Sequence, residues 1–486
     1  MAVLSSPQRP ILLLGKRARQ TLAPSVAPNN RFFGVMLPYA PLHYLILQNS
    51  FTALIMTSAN LSEEPIAIAN EEAVARLGGI ADSFLTHNRD IYLRCDDSIV
   101  RKTNRVTRFI RRSRGYVPTP VFLNHSPPPV LACGAELKNT VCLTKEDRAF
   151  VSQHIGDLEN IATYNAFQET ILHLQRILDI QPQAMVCDLH PDYLSTRYAK
   201  EQDRLPVIEI QHHHAHIVSA MAENHLDGQV IGLAFDGTGY GPDGTIWGGE
   251  VLLAEKHRYD RAAFLQPLPM PGGAAAIKAP WRMAVSYLYQ AFGDGFRTLD
   301  IPFMATIDLK QADILVAMAG QGLNAPLTSS MGRLFDAIAA LVGLRSTIAF
   351  EGQAAMELEM IADLDPAGHY DGGWQASDSL QIPAAPILQG VVTDLVRGQS
   401  AARISRKFHT TLVWLFTALC AHLRQQTGLD RVVLSGGVFQ NAILLTELSQ
   451  SLEKEGFAVY THRLVPSNDG GIALGQAVAA GAMLSG

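Results

Sequence analysis

Three apolar runs end in glycine-bearing turns: VLACGAELKN (130–139), QVIGLAFDGTGYG (229–241) and DRVVLSGGVFQN (430–441). An apolar run this short, closed by glycine, reads as a buried strand whose chain then reverses or approaches something closely. Segments of helical period separate or follow these strands, among them YNAFQETILHLQRILD, HTTLVWLFTALCAHLRQQTG and GGIALGQAVAAGAMLS. Alternating strand, glycine turn and helix imply an α/β fold and exclude all-α and all-β chains. Two glycine-turn strands far apart in the chain suggest a duplicated α/β domain.

The 486 residues allow two to four domains. Near the N-terminus PILLL and FTALIMTSAN read as buried strands, NEEAVARLGG as a helix, and DSIVRKT and VTRFIRRS as later strands. Prolines cluster in VPTPVFLNHSPPPV, and proline removes donors and extends its neighbour. The expected organisation is a first domain over 1–120, a linker over 121–128, a first lobe over 129–255 and a second over 256–486.

Charge divides along the same line. Residues 1–120 hold 15 Lys and Arg against 8 Asp and Glu, net +7, leaving −13 for the rest of a chain of net charge −6. The densest basic stretch, RKTNRVTRFIRRSRGY (101–116), reads either as strands with solvated outer faces or as a phosphate-facing surface. The five cysteines are scattered without C-x-x-C, which excludes a thiolate zinc site and fits a reducing compartment. No run suits a membrane span, and MAVLSSPQRP lacks the layout of a signal peptide, so a cytoplasmic protein is expected.

In QHHHAHIVSAM (211–221) four histidines fall within five positions. On a helix His212 and His216 are one turn apart on one face, the spacing that presents two imidazoles to one metal ion. The alternative is a helix start with exposed histidines, although histidine is neither a strong helix former nor a good cap. Of His213 and His214, one could meet a phosphate or substrate and the other could be surface. Two carboxylates followed by glycine could complete a shell: Asp236 in FDGTGYG and Asp469 in PSNDGGIALGQ. Their alternatives are an Asx-turn and a helix N-cap. Two histidines and two carboxylates with open positions suit iron(II) or zinc acting as a Lewis acid.

The glycine turns expose backbone N–H groups that attract anions, which makes Gly134, Gly237 and Thr238 candidate phosphate contacts. None of the turns is G-x-x-x-x-G-K-[ST] or G-x-G-x-x-G, so Walker and Rossmann readings fail. Together they resemble the phosphate loops of the actin/hexokinase-type ATPase fold. No G-x-S-x-G motif exists, and Cys133 reads as a buried thiol rather than a nucleophile.

With these residues assembled, the chain resembles the HypF-type carbamoyltransferases of nickel–iron hydrogenase maturation. SPQRPILLL, TSANLSEEPI, CDDSIVRKT and RRSRGYVP are similar to the C-terminal half of a YrdC-like nucleotide-binding domain. GAELKNT, SQHIGDLEN, CDLHPDYLST, QHHHAH, FDGTGYGPDGTIWGGE, SSMGRLFDAIAALVG, FEGQAAMELE, LSGGVFQN and NDGGIALGQA then follow in the family's order. The resemblance implies a YrdC-like part followed by a duplicated actin/hexokinase-type (TsaD-like) domain. It implies one divalent metal, iron or zinc, held by His212, His216, Asp469 and Asp236, with magnesium as a further cation. It also implies that carbamoyl phosphate and ATP yield a carbamoyl-adenylate. The carbamoyl group then passes to the C-terminal cysteine of a HypE-type partner, without nucleic acid or membrane.

By the same resemblance the nucleotide rests on Gly436, Gly437 and Asn441, with Asp336 and Gly352 near the ribose and Lys138 offsetting phosphate charge. In the first domain Thr57, Ser58, Asn60, Ser98 and the arginines Arg111, Arg112 and Arg114 are the expected nucleotide contacts. Family members normally begin with an acylphosphatase-like domain, cysteine-rich zinc motifs and the first half of the YrdC-like domain, none of which precedes Met1. The expectation is that this chain alone does not form the adenylate. The competing expectations are an O-carbamoyltransferase for a small-molecule hydroxyl, and a non-catalytic nucleotide-binding scaffold.

Overall fold

The computed structural model describes residues 1–17, 22–48, 51–61, 64–365, 368–376 and 379–485. The chain forms two compact units. One comprises Met1–Ile210, Met221–Leu226 and His462–Gly486; the other comprises Gln211–Ala220 and Asp227–Thr461. Residues 129–255 contribute strands to a sheet in each unit.

The first unit holds two sheets. A four-stranded sheet runs in the order Phe32–Val35, Ile11–Gly15, Ile99–Thr103, Val106–Arg111, with Leu4, Leu12, Val100 and Phe109 as its small core. A six-stranded sheet runs Val207–Ile210, Ala184–Asp188, Val130–Ala132, Cys142–Lys145, Arg148–Val151, Val121–Phe122. Helix Ile161–Leu178 buries Ala166, Phe167, Thr170, Ile171 and Leu174 against this sheet's core, the one-face spacing that its sequence period implies. Asn160 caps it by accepting from Ala162 N at 2.8 Å. The last helix, Ile472–Ser485, is buried from Ile472 through Gly481 and packs on the same sheet, which explains its Ala- and Gly-rich, all-round apolar composition.

The second unit is built on an eight-stranded sheet. Its main path is Leu268–Pro269, Leu327–Thr328, Ile246–Ala254, Val230–Tyr240, Arg431–Ser435, Ala458–Thr461, with Tyr259–Leu265 and Leu380–Ile382 added beside Ile246–Ala254. The long helix Ala401–Thr427 supplies Phe408, Leu412, Leu415, Phe416 and Leu419 to the core.

The expected duplication is visible in the pairing. In the first unit Val130–Ala132 pairs antiparallel with Cys142–Lys145, which pairs antiparallel with Arg148–Val151. Its other edge pairs parallel with Ala184–Asp188, itself parallel to Val207–Ile210. Val230–Tyr240, Ile246–Ala254 and Tyr259–Leu265 repeat the antiparallel part, and Arg431–Ser435 and Ala458–Thr461 the parallel part. The α/β class and the duplication hold.

Three local expectations need correction. FTALIMTSAN is not a strand: residues 51–59 are exposed, and no strand among the described residues offers this run a ladder. An unpaired strand leaves its backbone groups to water, so an apolar run without a partner stays irregular. Of the motif that follows, Ser62 and Glu63 lie outside the described residues. FDGTGYG is not a turn after a strand but part of it, because Val230–Tyr240 continues past a register shift between Phe235 and Gly239. The chain reverses only beyond Gly241. Finally, the proline-rich connection contains an edge strand, Val121–Phe122, paired with Arg148–Val151.

Candidate functional site

In the second unit the histidine cluster opens helix His212–Glu223. Gln211 prepares it: its Oε1 accepts from His214 N at 2.9 Å, and its Nε2 donates to Tyr240 O at 3.1 Å. A side chain that caps a helix and grips the neighbouring strand fixes where the first turn lies. His212 and His216 face the same point. Their Nε2 atoms lie 3.3 and 3.2 Å from one atom, Asp236 Oδ2, and all three residues are buried. The helix approaches strand Val230–Tyr240 closely because that strand carries glycines. A Cβ at Gly232 would sit 2.7 Å from Ile217 Cγ1, and one at Gly239 would sit 2.4 Å from His213 Cε1.

Burial alone would raise the Asp236 carboxyl. Hydrogen bonds from His212 and His216, with their positive charge, outweigh it and hold Asp236 well below the ordinary carboxylate range. Asp236 Oδ1 accepts from Gly437 N at 3.1 Å, so the carboxylate also links its strand to the glycine turn after Arg431–Ser435. That turn requires glycine at 436: its φ is +106°, and a Cβ would meet Phe235 O at 2.1 Å.

The expectation that one of His213 and His214 lies at the surface fails, since both are buried. His214 Nε2 donates to Glu255 O at 2.7 Å, and burial lowers its pKa to about 4 despite that bond. Burial pushes His213 well below the usual imidazole range, next to the His212 ring. The whole first turn is packed under the sheet, which is why no histidine reaches solvent.

The Asp236–Gly237 backbone is clamped from a third element. Ser330 Oγ donates to Gly237 O at 2.7 Å or Asp236 O at 3.1 Å, and it accepts from Arg333 N at 3.1 Å as N-cap of helix Met331–Leu341. Thr238 follows directly in the irregular stretch of the strand. Asp336 lies on that helix, buried, paired with Arg333 at 2.8 Å. Gly352, at φ +74°, caps helix Gln353–Ile361. Asn441 is the N-cap of helix Ala442–Lys454: its Oδ1 accepts from Leu444 N at 3.0 Å and its Nδ2 donates to His409 Nε2 at 2.8 Å. Its amide is therefore committed within the protein.

The remaining expected residues lie in the first unit. Asp469 opens the short 3-10 turn before Ile472–Ser485, and Asn468, not Asp469, caps it by accepting from Gly470 N at 3.1 Å. Gly134 has φ +72° and exchanges bonds of 2.9 and 3.2 Å with the Gln476 amide. Lys138 has φ +48°, and its N donates to Asp157 Oδ1 at 2.8 Å. Burial of Cys133 raises its thiol well above the ordinary value, in keeping with an inert core residue.

Thr57 and Ser58 are exposed, and Asn60 Nδ2 donates to Leu61 O and Glu64 O at 2.9 and 3.0 Å. Ser98 and the arginines of the basic stretch meet protein acceptors. Ser98 Oγ donates to Arg114 O at 3.0 Å; Arg112, buried, donates to Val151 O, Tyr116 O and Thr119 O; Arg111 and Arg114 pair with Asp96 and Asp97 at 3.2 and 2.6 Å. Burial lowers Arg112 to about 10.

Gln211, Ser330 and Gln476 escaped the sequence reading. A signal existed for each: two stand at helix starts, and Gln476 is a single amide on an otherwise apolar helix.

The donor set fits a metal. Two buried imidazole nitrogens and a carboxylate oxygen converge on one point, where a divalent cation of the zinc or iron(II) class would satisfy them by replacing the imidazole protons.

Comparison with known proteins adds the following. A family model described as "Carbamoyltransferase, Kae1-like Domain, second subdomain" matches residues 232–476, and one described as "HypF Kae1-like domain" matches 125–223. The Sua5/YciO/YrdC model, described as "Telomere recombination", matches residues 2–113. Carbamoyltransferase HypF2 of Cupriavidus necator is 43% identical, over 98% of this chain and 64% of its own length. Carbamoyltransferase HypF of Synechocystis sp. is 41% identical, over 98% and 63%. A crystal structure of full-length HypF in the phosphate- and nucleotide-bound form superposes with a TM-score of 0.96 at 44% identity, covering 100% of this chain and 76% of that one. The chain thus spans less than two thirds of the length of these two curated relatives.

Proposed function

The chain belongs to the HypF carbamoyltransferase family, and on that premise we propose that it transfers a carbamoyl group from carbamoyl-adenylate to the C-terminal cysteine thiolate of a HypE-type partner. The observation that carries this reading is the convergence of His212 and His216 on Asp236, beside a turn at Gly436 and Gly437 suited to close backbone approach. His212, His216 and Asp236 would hold an iron or zinc ion. Bound there, such an ion would supply Lewis acidity toward the carbamoyl carbonyl.

The protein's own groups do the rest. Gly437 N–H keeps the Asp236 carboxylate oriented, and Gln211 and Ser330 fix the helix and strand that carry the ligands. Gly237, Thr238 and Gly436 offer backbone to the nucleotide, and Asp336 and Gly352 its ribose side. The thiolate attacks the carbamoyl carbon, the C–O bond to AMP breaks, and AMP leaves with the electron pair. Carbamoyl phosphate and ATP are the substrates that ultimately supply the adenylate, with magnesium as their counter-ion, in the cytoplasm. Among the described residues no helix is long and apolar enough to cross a membrane.

Mass spectrometry of HypE after incubation with the chain and preformed carbamoyl-adenylate tests this. One carbamoyl group on the C-terminal cysteine, absent with His212→Ala/His216→Ala, supports the reading. Nucleotide binding without any transfer would replace it with the scaffold reading, and carbamoylation of a small-molecule hydroxyl instead would replace the acceptor.

A further inference from the structure

Arg333 has no role in the function just described, yet it is 4% exposed and stands beside the Asp236–Gly237 backbone. Helix Met331–Leu341 is buried along its whole length, and its first turn abuts that backbone. A Cβ at Gly332 would come within 2.9 Å of Gly237 Cα, and one at Gly237 would lie 3.9 Å from Arg333 Nη2. The guanidinium therefore borders the small residue whose missing side chain leaves the irregular stretch of the strand open.

The charge is incompletely matched. Arg333 Nη2 lies 2.8 Å from Asp336 Oδ2, but its Nε, also buried, meets no hydrogen-bond acceptor among the described residues. A buried guanidinium held only for packing is costly, and an apolar side chain of similar volume would serve at least as well. An arginine with a donor to spare, at the positive end of a helix and next to a glycine in an irregular strand, has the chemistry that recognises phosphate.

We propose that Arg333 reads the phosphate of a nucleoside monophosphate ester bound at the Asp236–Thr238 segment. The proposal rests on the adenylate reading above and adds a residue to it. Asp336 orients the guanidinium when the site is empty and shares it when the ester binds. The N-terminal turn of the helix adds its dipole to the same point. Arg333 thereby separates an adenylate from a bare nucleoside, and it favours the ester that carries the carbamoyl group.

Calorimetric titration of the whole chain with AMP and, separately, adenosine tests this in the wild type, Arg333→Gln and Arg333→Lys. The expected result is a loss of AMP affinity of about 10- to 100-fold in Arg333→Gln, with adenosine changed less than about 3-fold and partial recovery in Arg333→Lys. Equal losses for both ligands, or none, overturn the proposal, because a packing role does not distinguish them. A wild type that binds neither ligand overturns the adenylate reading and this proposal with it. Should Arg333→Gln fail to fold around an unpaired Asp336, Arg333→Gln/Asp336→Asn compared with Asp336→Asn carries the same test. There, an unchanged AMP-over-adenosine preference sinks the idea.

Discussion

Asp236 serves two elements at once, with Oδ2 toward the histidine pair and Oδ1 toward Gly437 N. Its orientation therefore depends on the turn at Gly436, where any Cβ collides with Phe235 O in backbone that cannot yield. Gly436→Ala is expected to cost about 2–4 kcal/mol in urea unfolding, and an unchanged midpoint would contradict that strain. A second prediction concerns His409. Its Nδ1 donates to Ser405 O at 2.7 Å and its Nε2 accepts from Asn441, so it is buried neutral, with burial lowering its pKa to about 4. Because the unfolded chain binds that proton from about pH 6.5 downward, stability is lost as pH falls from about 6.5 toward 4, by about 2 kcal/mol at pH 5 from this one residue. Urea midpoints at pH 7.5 and 5 check this, and His409→Gln should narrow the difference by about that amount. The histidine pair was legible because i, i+4 spacing states a geometry directly. Gln211 and Ser330 were not, because they act through backbone atoms that any capping side chain could reach.

Elements were legible where one face is buried. Ile161–Leu178 follows its periodicity to within a few residues, since packing against the six-stranded sheet enforces it, whereas Ile472–Ser485 was legible from an unbroken small and apolar run. FDGTGYG was misread because glycine marks both turns and irregular strand, and only the pairing with Ile246–Ala254 distinguishes them. FTALIMTSAN was misread because apolar content promises burial only if a partner exists. None of the described residues between 13 and 97 is buried, and Phe51, Ile55, Met56, Leu85 and Tyr92 are largely exposed. Hydrogen exchange is accordingly predicted to be fast for the described amides of 39–48, 51–61 and 64–92 and slow in Val130–Ala132, Val230–Tyr240 and Arg431–Ser435. Protection of 51–60 matching those strands would contradict the fold of this segment.

For the molecule as a whole, the same three-strand meander with two parallel strands recurs in both units, with histidines and Asp236 on the second copy and Asp469 on the first. That recurrence could only be suspected from two glycine turns, because sequence repetition is not needed to repeat a pairing order. The basic stretch shows the opposite limit. Charge counting found the arginines but not that Arg111, Arg112 and Arg114 spend their donors on Asp96, Asp97 and backbone carbonyls. The proposed metal site at His212, His216 and Asp236 is the feature on which the functional reading depends. Its most direct test is elemental analysis of the native chain and of His212→Ala/His216→Ala, each with and without ATP. About one iron or zinc per native chain, and none in the variant, is the expected result. A native chain that holds no metal even with nucleotide would contradict it.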